Sequence, residues 1–92
     1  MRLSVIVPVR NGAAFIAALL DSLHAQNRAG LEGCEFIAVD DASTDDTPAI
    51  LAGYPWLRTL RHETRRGAGA ARNSGARAAG GEVLVFLDAD TR

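Results

Sequence analysis

The chain has no lysine: all ten of its basic residues are arginine. That absence removes every mechanism that needs a lysine, including a P-loop, whose Gly-Lys-Ser/Thr reaches the terminal phosphates. A single cysteine, Cys34, excludes an intrachain disulfide and a cysteine-built metal site. It reads as a half-buried residue leading into a strand. No apolar run approaches the roughly 18 residues of a membrane span. The apolar start from Met1 is too short for a signal peptide and ends at Pro8. The net charge of −1 gives no bulk attraction to nucleic acid or to an anionic membrane. Repeats, linkers and low-complexity tails are missing as well. The expectation is a soluble, cytoplasmic chain without a nucleic-acid partner. With 92 residues, 48% hydrophobic and 23% charged, it is one small domain or half of a larger one.

What is present is strict alternation of strand and helix patterns. Leu3 to Pro8 reads as a first strand, broken by Asn11-Gly12, which can cap the first helix. Ile16, Leu19, Leu20 and Leu23 fall at i, i+3, i+4 and i+7, one apolar face of a helix ending near Gln26. Asn27 to Gly33 is a polar loop, and Glu35 to Val39 a second strand. Ser43 with Asp46 approximates a capping box for the next helix, with Pro48 in its first turn and Tyr54-Pro55 at its end. Trp56 to Leu60 is a short third strand. Gly67 to Ala79 is an Ala-rich helix closed by Gly80-Gly81. The fourth strand, Val83 to Leu87, is a continuous apolar run of the kind found in fully buried strands. The βαβαβαβ order predicts an α/β fold: a Rossmann-like three-layer αβα arrangement on a mostly parallel sheet of about four strands.

Two of these strands end in acids. Val83 to Leu87 delivers Asp88 and Asp90 to its carboxyl end, and the second strand delivers Asp40 and Asp41. In open α/β sheets ligands bind outside the carboxyl ends of the strands. Two carboxylates one residue apart repel each other unless a cation shares them. Hard oxygen ligands of this kind suit Mg²⁺ or Mn²⁺ chelated by a phosphate-bearing substrate. The Gly67-Ala68-Gly69-Ala70-Ala71-Arg72 segment imitates other loops but completes none: a dinucleotide fingerprint needs glycine where Arg72 stands. Such glycines also arise from tight helix–strand packing. Arg72, in the first turns of a helix, is placed where an acid would sit better with the dipole. His24 and His62 have no partner pattern that would mark a metal site.

Four segments together carry a family resemblance. Ser4-Val5-Ile6-Val7-Pro8-Val9-Arg10-Asn11, Val39-Asp40-Asp41-Ala42-Ser43-Thr44-Asp45, Gly67 with Ala71-Arg72-Asn73-Ser74-Gly75, and Phe86-Leu87-Asp88-Ala89-Asp90 resemble family 2 glycosyltransferases in order and spacing. The resemblance implies a partial GT-A fold, with residues 1–92 as the N-terminal, nucleotide-sugar-binding part of a truncated domain. It implies transfer of a sugar from a nucleotide-diphosphate sugar, UDP-sugar favoured, to an unknown acceptor. The general base and the acceptor pocket are then expected beyond residue 92, so no catalytic residue is expected within the chain. In a longer protein the location would be the cytoplasm, including the inner face of the membrane.

Site residues come from the same resemblance. The loop from Pro8 to Asn11 forms one wall for the base. Arg10 replaces the aromatic residue usual in the family, and either lies flat on the base or is solvated. Asp41 matches the acid that accepts a hydrogen bond from the base, with Asp40 bracing the loop. Gly67 opens the helix whose Arg72 approaches the nucleotide, with Asn73 and Gly75 shaping that helix. Arg65 stands in place of an asparagine, either near the diphosphate or on the surface. Asp88 meets ribose or metal, and Asp90 holds the divalent cation, Mn²⁺ or Mg²⁺. The family's sheet order would be 3-2-1-4, which leaves Val83 to Leu87 as an edge and predicts a homodimer or higher assembly through it, or else poor solubility.

Other classes fit less of the chain. Leu87-Asp88-Ala89-Asp90-Thr91 also matches the opening of a haloacid-dehalogenase-like phosphatase, whose nucleophile begins the fold and which needs a lysine. A phospho-receiver module pairing Asp40-Asp41 with Asp88 needs a lysine too. A catalytically inactive nucleotide-binding or interaction domain is the remaining alternative.

Overall fold

The computed structural model describes residues 3–28 and 34–87. Its elements are β1 (Leu3–Val9), α1 (Ile16–Arg28), β2 (Glu35–Asp41), α2 (Thr47–Ala52), β3 (Arg58–His62), α3 (Ala68–Ala78) and β4 (Val83–Phe86). The four strands form one parallel sheet in the order β3-β2-β1-β4. This is the α/β architecture and the strand order expected.

Alternation along the central strands divides the core into two layers. Val5, Val7 and Val9 of β1, with Phe36 and Ala38 of β2, face Ile16, Leu20 and Leu23 of α1 and Leu51 of α2. Ile6, Ile37 and Val39 face the other way, onto Ala71 of α3. The close seat of α3 depends on Gly75, where a Cβ would overlap Ile6 Cγ2 and crowd Val39 Cγ2 at 3.3 Å. Three layers result, with α1 and α2 on one face of the sheet and α3 on the other.

Four local expectations are corrected. The capping box does not form: Ser43 Oγ accepts from Asn11 N (2.9 Å), and the Ser43 amide donates to Asp40 Oδ1 (2.9 Å). Asp46 occupies the cap position without a side-chain bond. Asp45 instead accepts from Thr47 N (2.9 Å), two residues on, and from Ala13 N (3.1 Å) of the neighbouring β1–α1 turn. β3 begins at Arg58 rather than Trp56. The Trp56 ring packs against Phe36, Tyr54 and His24, with centroids 5.3, 5.6 and 5.2 Å away, which closes the α1 side of the core. α1 continues to Arg28, two residues past the expected stop; residues 29–33 of the expected loop lie outside the described residues. Finally, β4 is not a buried strand. Val83, Leu84, Val85 and Phe86 are 36–43% exposed, because β4 pairs with β1 along one side while α3 lies over β1 and β2.

Candidate functional site

The carboxyl ends of β1 and β2 open onto a cavity of about 150 Å³. Pro8, Val9, Arg10, Asp41, Arg65, Gly67, Ala68 and Ala71 line it. That volume is below the roughly 300–1,000 Å³ typical of small-molecule pockets. Its position is set by β1 and β2 ending together and by α3 beginning beside them.

Asp41 is the best-connected residue of the cavity wall. It is buried, with Oδ1 2.8 Å from His62 Nδ1 and accepting from Arg66 N at 2.9 Å. Oδ2 accepts from Gly67 N at 2.8 Å. Burial alone would raise its pKa, but the Arg66 amide, the His62 ring and the Gly67 amide outweigh it. Together they hold the carboxyl below its ordinary value. A carboxylate offers about four acceptor positions, so one position on Oδ2 is not used by these three contacts.

Gly67 has φ of 97°, in the left-handed region that glycine adopts without steric cost. This backbone turn aims its amide at Asp41 and starts α3 against the cavity. The N-terminus of α3 carries no side-chain cap and no acid in its first turn. Among the described residues, the acid set against this end of the dipole is Asp41, whose carboxylate accepts from the cap residue Gly67. Arg10 and Arg65 add two basic residues to the lining, and Arg10 Nε is buried with no hydrogen-bond partner among the described residues.

The expected site residues separate into three groups. Pro8, Arg10, Asp41 and Gly67 come together on the cavity. Arg65, left open between a diphosphate neighbour and a surface residue, joins them. Asp40, Asn11 and Arg72 do not line it. Asp40 is the strand neighbour of Asp41 and projects to the opposite face, where it pairs with Arg61 Nη1 at 2.5 Å. Asn11, at φ of 53°, accepts from Thr44 N at 2.7 Å and ties the β1–α1 turn to the segment after β2. Gly12 N to Thr47 Oγ1 (2.9 Å) adds to that clamp. Arg72 is half-buried on α3, one residue past the cavity-lining Ala71. Asp88 and Asp90 lie outside the described residues. Among the described residues no three His, Cys, Asp or Glu side chains gather as a metal site. No helix among them is long and apolar enough to cross a membrane.

His62 and Ser74 are the residues that sequence reasoning missed. His62 is buried and pairs in register with Asp41 across β2 and β3. Its Nε2 is 2.8 Å from Ser74 Oγ on α3. One signal existed: a histidine alternating with Leu60 on the inward face of a short strand. Only the β2–β3 register gives it a partner.

Comparison with known proteins agrees with this fold. The sequence profile described as glycosyl transferase family 2 matches residues 4–92. An uncharacterized glycosyltransferase of Haemophilus influenzae is 40% identical over 89 residues, covering 96% of this chain and 29% of that protein. The crystal structure of S. aureus TarS 1-349 in complex with UDP-GlcNAc superposes with a TM-score of 0.88 at 38% identity. It covers 98% of this chain and 27% of that one. The mannosyltransferase PcManGT from Pyrobaculum calidifontis, in complex with GDP-Man and Mn²⁺, gives 0.86 at 37% identity, covering 97% and 27%. The chain thus spans between a quarter and a third of the length of these relatives.

Proposed function

The chain belongs to glycosyl transferase family 2, and from that premise we propose that it supplies the donor-binding part of a sugar transfer from a nucleotide-diphosphate sugar. One observation carries the reading. A single ionised acceptor, Asp41, faces a compartment otherwise lined by cationic and apolar groups, at the carboxyl ends of two parallel strands. An acceptor-only carboxylate selects a base edge that presents an N–H, such as the imide of uracil. The unused position on Oδ2 is free to take it. Arg10, with an unpartnered Nε, is suited to lie against the base or to donate to its carbonyl oxygens. Arg65 and the amino end of α3 favour the negative charge of a diphosphate. UDP is the favoured nucleotide. TarS and the Pyrobaculum enzyme, crystallised with UDP-GlcNAc and with GDP-Man and Mn²⁺, are consistent with donors of this class.

Asp88 and Asp90, two residues from each other just past β4, are the residues that would hold Mn²⁺ or Mg²⁺. Their all-oxygen donor set fits such a cation. When bound, the metal would stabilise the departing nucleoside diphosphate as a Lewis acid. What the described residues do is bind and orient. Asp41 fixes the base, the Gly67 turn lets backbone approach the ligand, and the two arginines neutralise charge. The family resemblance implies a general base and an acceptor pocket outside residues 1–92, and we assign neither role to a described residue.

Isothermal calorimetry with UDP, GDP and dTDP, with and without Mn²⁺, tests the proposal. Binding of one nucleotide that weakens in chelator supports it. Equal affinity in chelator, or none at millimolar nucleotide, refutes it. Asp90→Ala is expected to abolish the metal dependence while leaving metal-free binding in place.

A further inference from the structure

Three elements meet behind the cavity wall: Asp41 at the end of β2, His62 at the end of β3, and Ser74 in the middle of α3. The atoms fall in a fixed order, carboxylate to Nδ1 at 2.8 Å and Nε2 to hydroxyl at 2.8 Å. Asp41 is ionised and can only accept, so a neutral His62 must carry its proton on Nδ1. Nε2 is then bare and accepts from the Ser74 hydroxyl. This is the minority tautomer of a free imidazole in water, so the two partners, and not the ring itself, select it. The same order of atoms serves serine nucleophiles elsewhere. Ser74, however, is not among the residues lining the cavity, and a half-buried hydroxyl on the far side of His62 meets no ligand there.

We propose that His62 and Ser74 are positioning residues for the nucleotide site, locking the Asp41 carboxylate through a single histidine tautomer. The consequence reaches beyond Asp41 itself. Its two oxygens also receive the amides of Arg66 and Gly67, so the carboxylate joins the relay to the turn that begins α3. A ring rotation at His62 would withdraw Nδ1–H from Oδ1 and leave the carboxylate free to swing. Ser74 opposes that rotation from the helix on the other side. Donor binding and the geometry of the Arg66–Gly67 turn therefore share one buried hydrogen-bonded chain. The side chains hydrogen-bonded to His62 are the Asp41 carboxylate and, from α3, the neutral Ser74 hydroxyl.

The proposal rests on the nucleotide reading for its functional half and is tested so that the two fail separately. In the ¹⁵N-labelled chain at pH 8, long-range ¹H–¹⁵N spectra should show His62 protonated on Nδ1 alone. Protonation on Nε2, on both nitrogens, or averaging between them overturns the relay. His62→Asn places an amide N–H near the Nδ1 position, whereas His62→Gln places it near Nε2. With Mn²⁺ present, His62→Asn should bind UDP within about threefold of the parent, and His62→Gln about tenfold or more weakly. Hydrogen exchange of the Arg66 and Gly67 amides should accelerate about tenfold in His62→Gln and stay near the parent rate in His62→Asn. Equal behaviour of the two variants refutes the positioning role. If the parent chain binds no nucleotide, the donor reading fails, and the relay is still decided by the tautomer and by amide exchange.

Discussion

Replacing Asp41 by asparagine should separate its two duties, holding the Arg66–Gly67 turn and meeting the nucleotide. The side chain is 6% exposed and accepts from His62, Arg66 N and Gly67 N. Asparagine keeps the shape but offers one acceptor oxygen and one donor group, so at least one of the three donors opposes another donor. An unsatisfied buried polar group costs about 1–3 kcal/mol. For a domain of this size each kcal/mol moves the melting temperature by roughly 4–8 °C, so a drop of about 5–20 °C is expected. Asp41→Ala strands all three donors and should fall further, toward a marginal fold given total stabilities of about 5–15 kcal/mol. On the binding side, loss of a charge-assisted hydrogen bond is worth about 1.5–3 kcal/mol, or roughly ten- to a hundredfold in nucleotide affinity. The assay is thermal denaturation followed by calorimetry at a temperature where the variant is fully folded. The loss of affinity should be the same with and without Mn²⁺. A folded Asp41→Asn that binds with parental affinity, or one altered only in its metal response, refutes the assignment of Asp41 to the base.

Three further outcomes are expected. Ala42 has φ of 60°, which costs an L-residue roughly 1–2 kcal/mol. Ala42→Gly should therefore stabilise the fold by about 0.5–1 kcal/mol after glycine's added unfolded-state entropy, and a lower urea midpoint would contradict the strain. The Asp41 carboxyl has a lower pKa folded than unfolded, so its contribution is complete above the unfolded value of about 3.9 and is lost as pH falls through the folded value. The urea midpoint should be steady near neutrality and drop below about pH 4, less steeply in Asp41→Asn; parallel curves for the two proteins would exclude Asp41 as a source. The exposed apolar strand β4 should pair with a second copy of the chain, giving a dimer or larger species in sedimentation at high micromolar concentration. Val85→Lys should shift that species to monomer, and a parent chain that is already a stable monomer would refute the pairing.

Much of the molecule was legible from local pattern. The i, i+3, i+4, i+7 spacing of Ile16 to Leu23 and the apolar runs of β1 and β2 depend on residues a few positions apart, and both elements formed. Alternating strands and helices left little choice but a parallel sheet, because each crossover must return to the same edge direction. The order β3-β2-β1-β4 came with the family resemblance rather than with any periodicity.

What local pattern carried poorly was every contact between elements. Asp40 and Asp41 read as one acidic cluster, yet a strand sends neighbours to opposite faces, so one pairs with Arg61 and the other with His62. Ser43 looked like a helix cap, but the Asn11 amide, 32 positions earlier in the chain, took its oxygen. Val83 to Phe86 had the composition of a buried strand, and composition does not say what lies over it. The Asp41, His62 and Ser74 relay joins three elements separated by 21 and 12 positions in the chain. The residues themselves determined which strands and helices would form and which of them would end in acids. Only the register of β2 on β3 and the seating of α3 over Gly75 decided which side chains meet, because hydrogen bonds act over about 3 Å in space, whatever their separation along the chain.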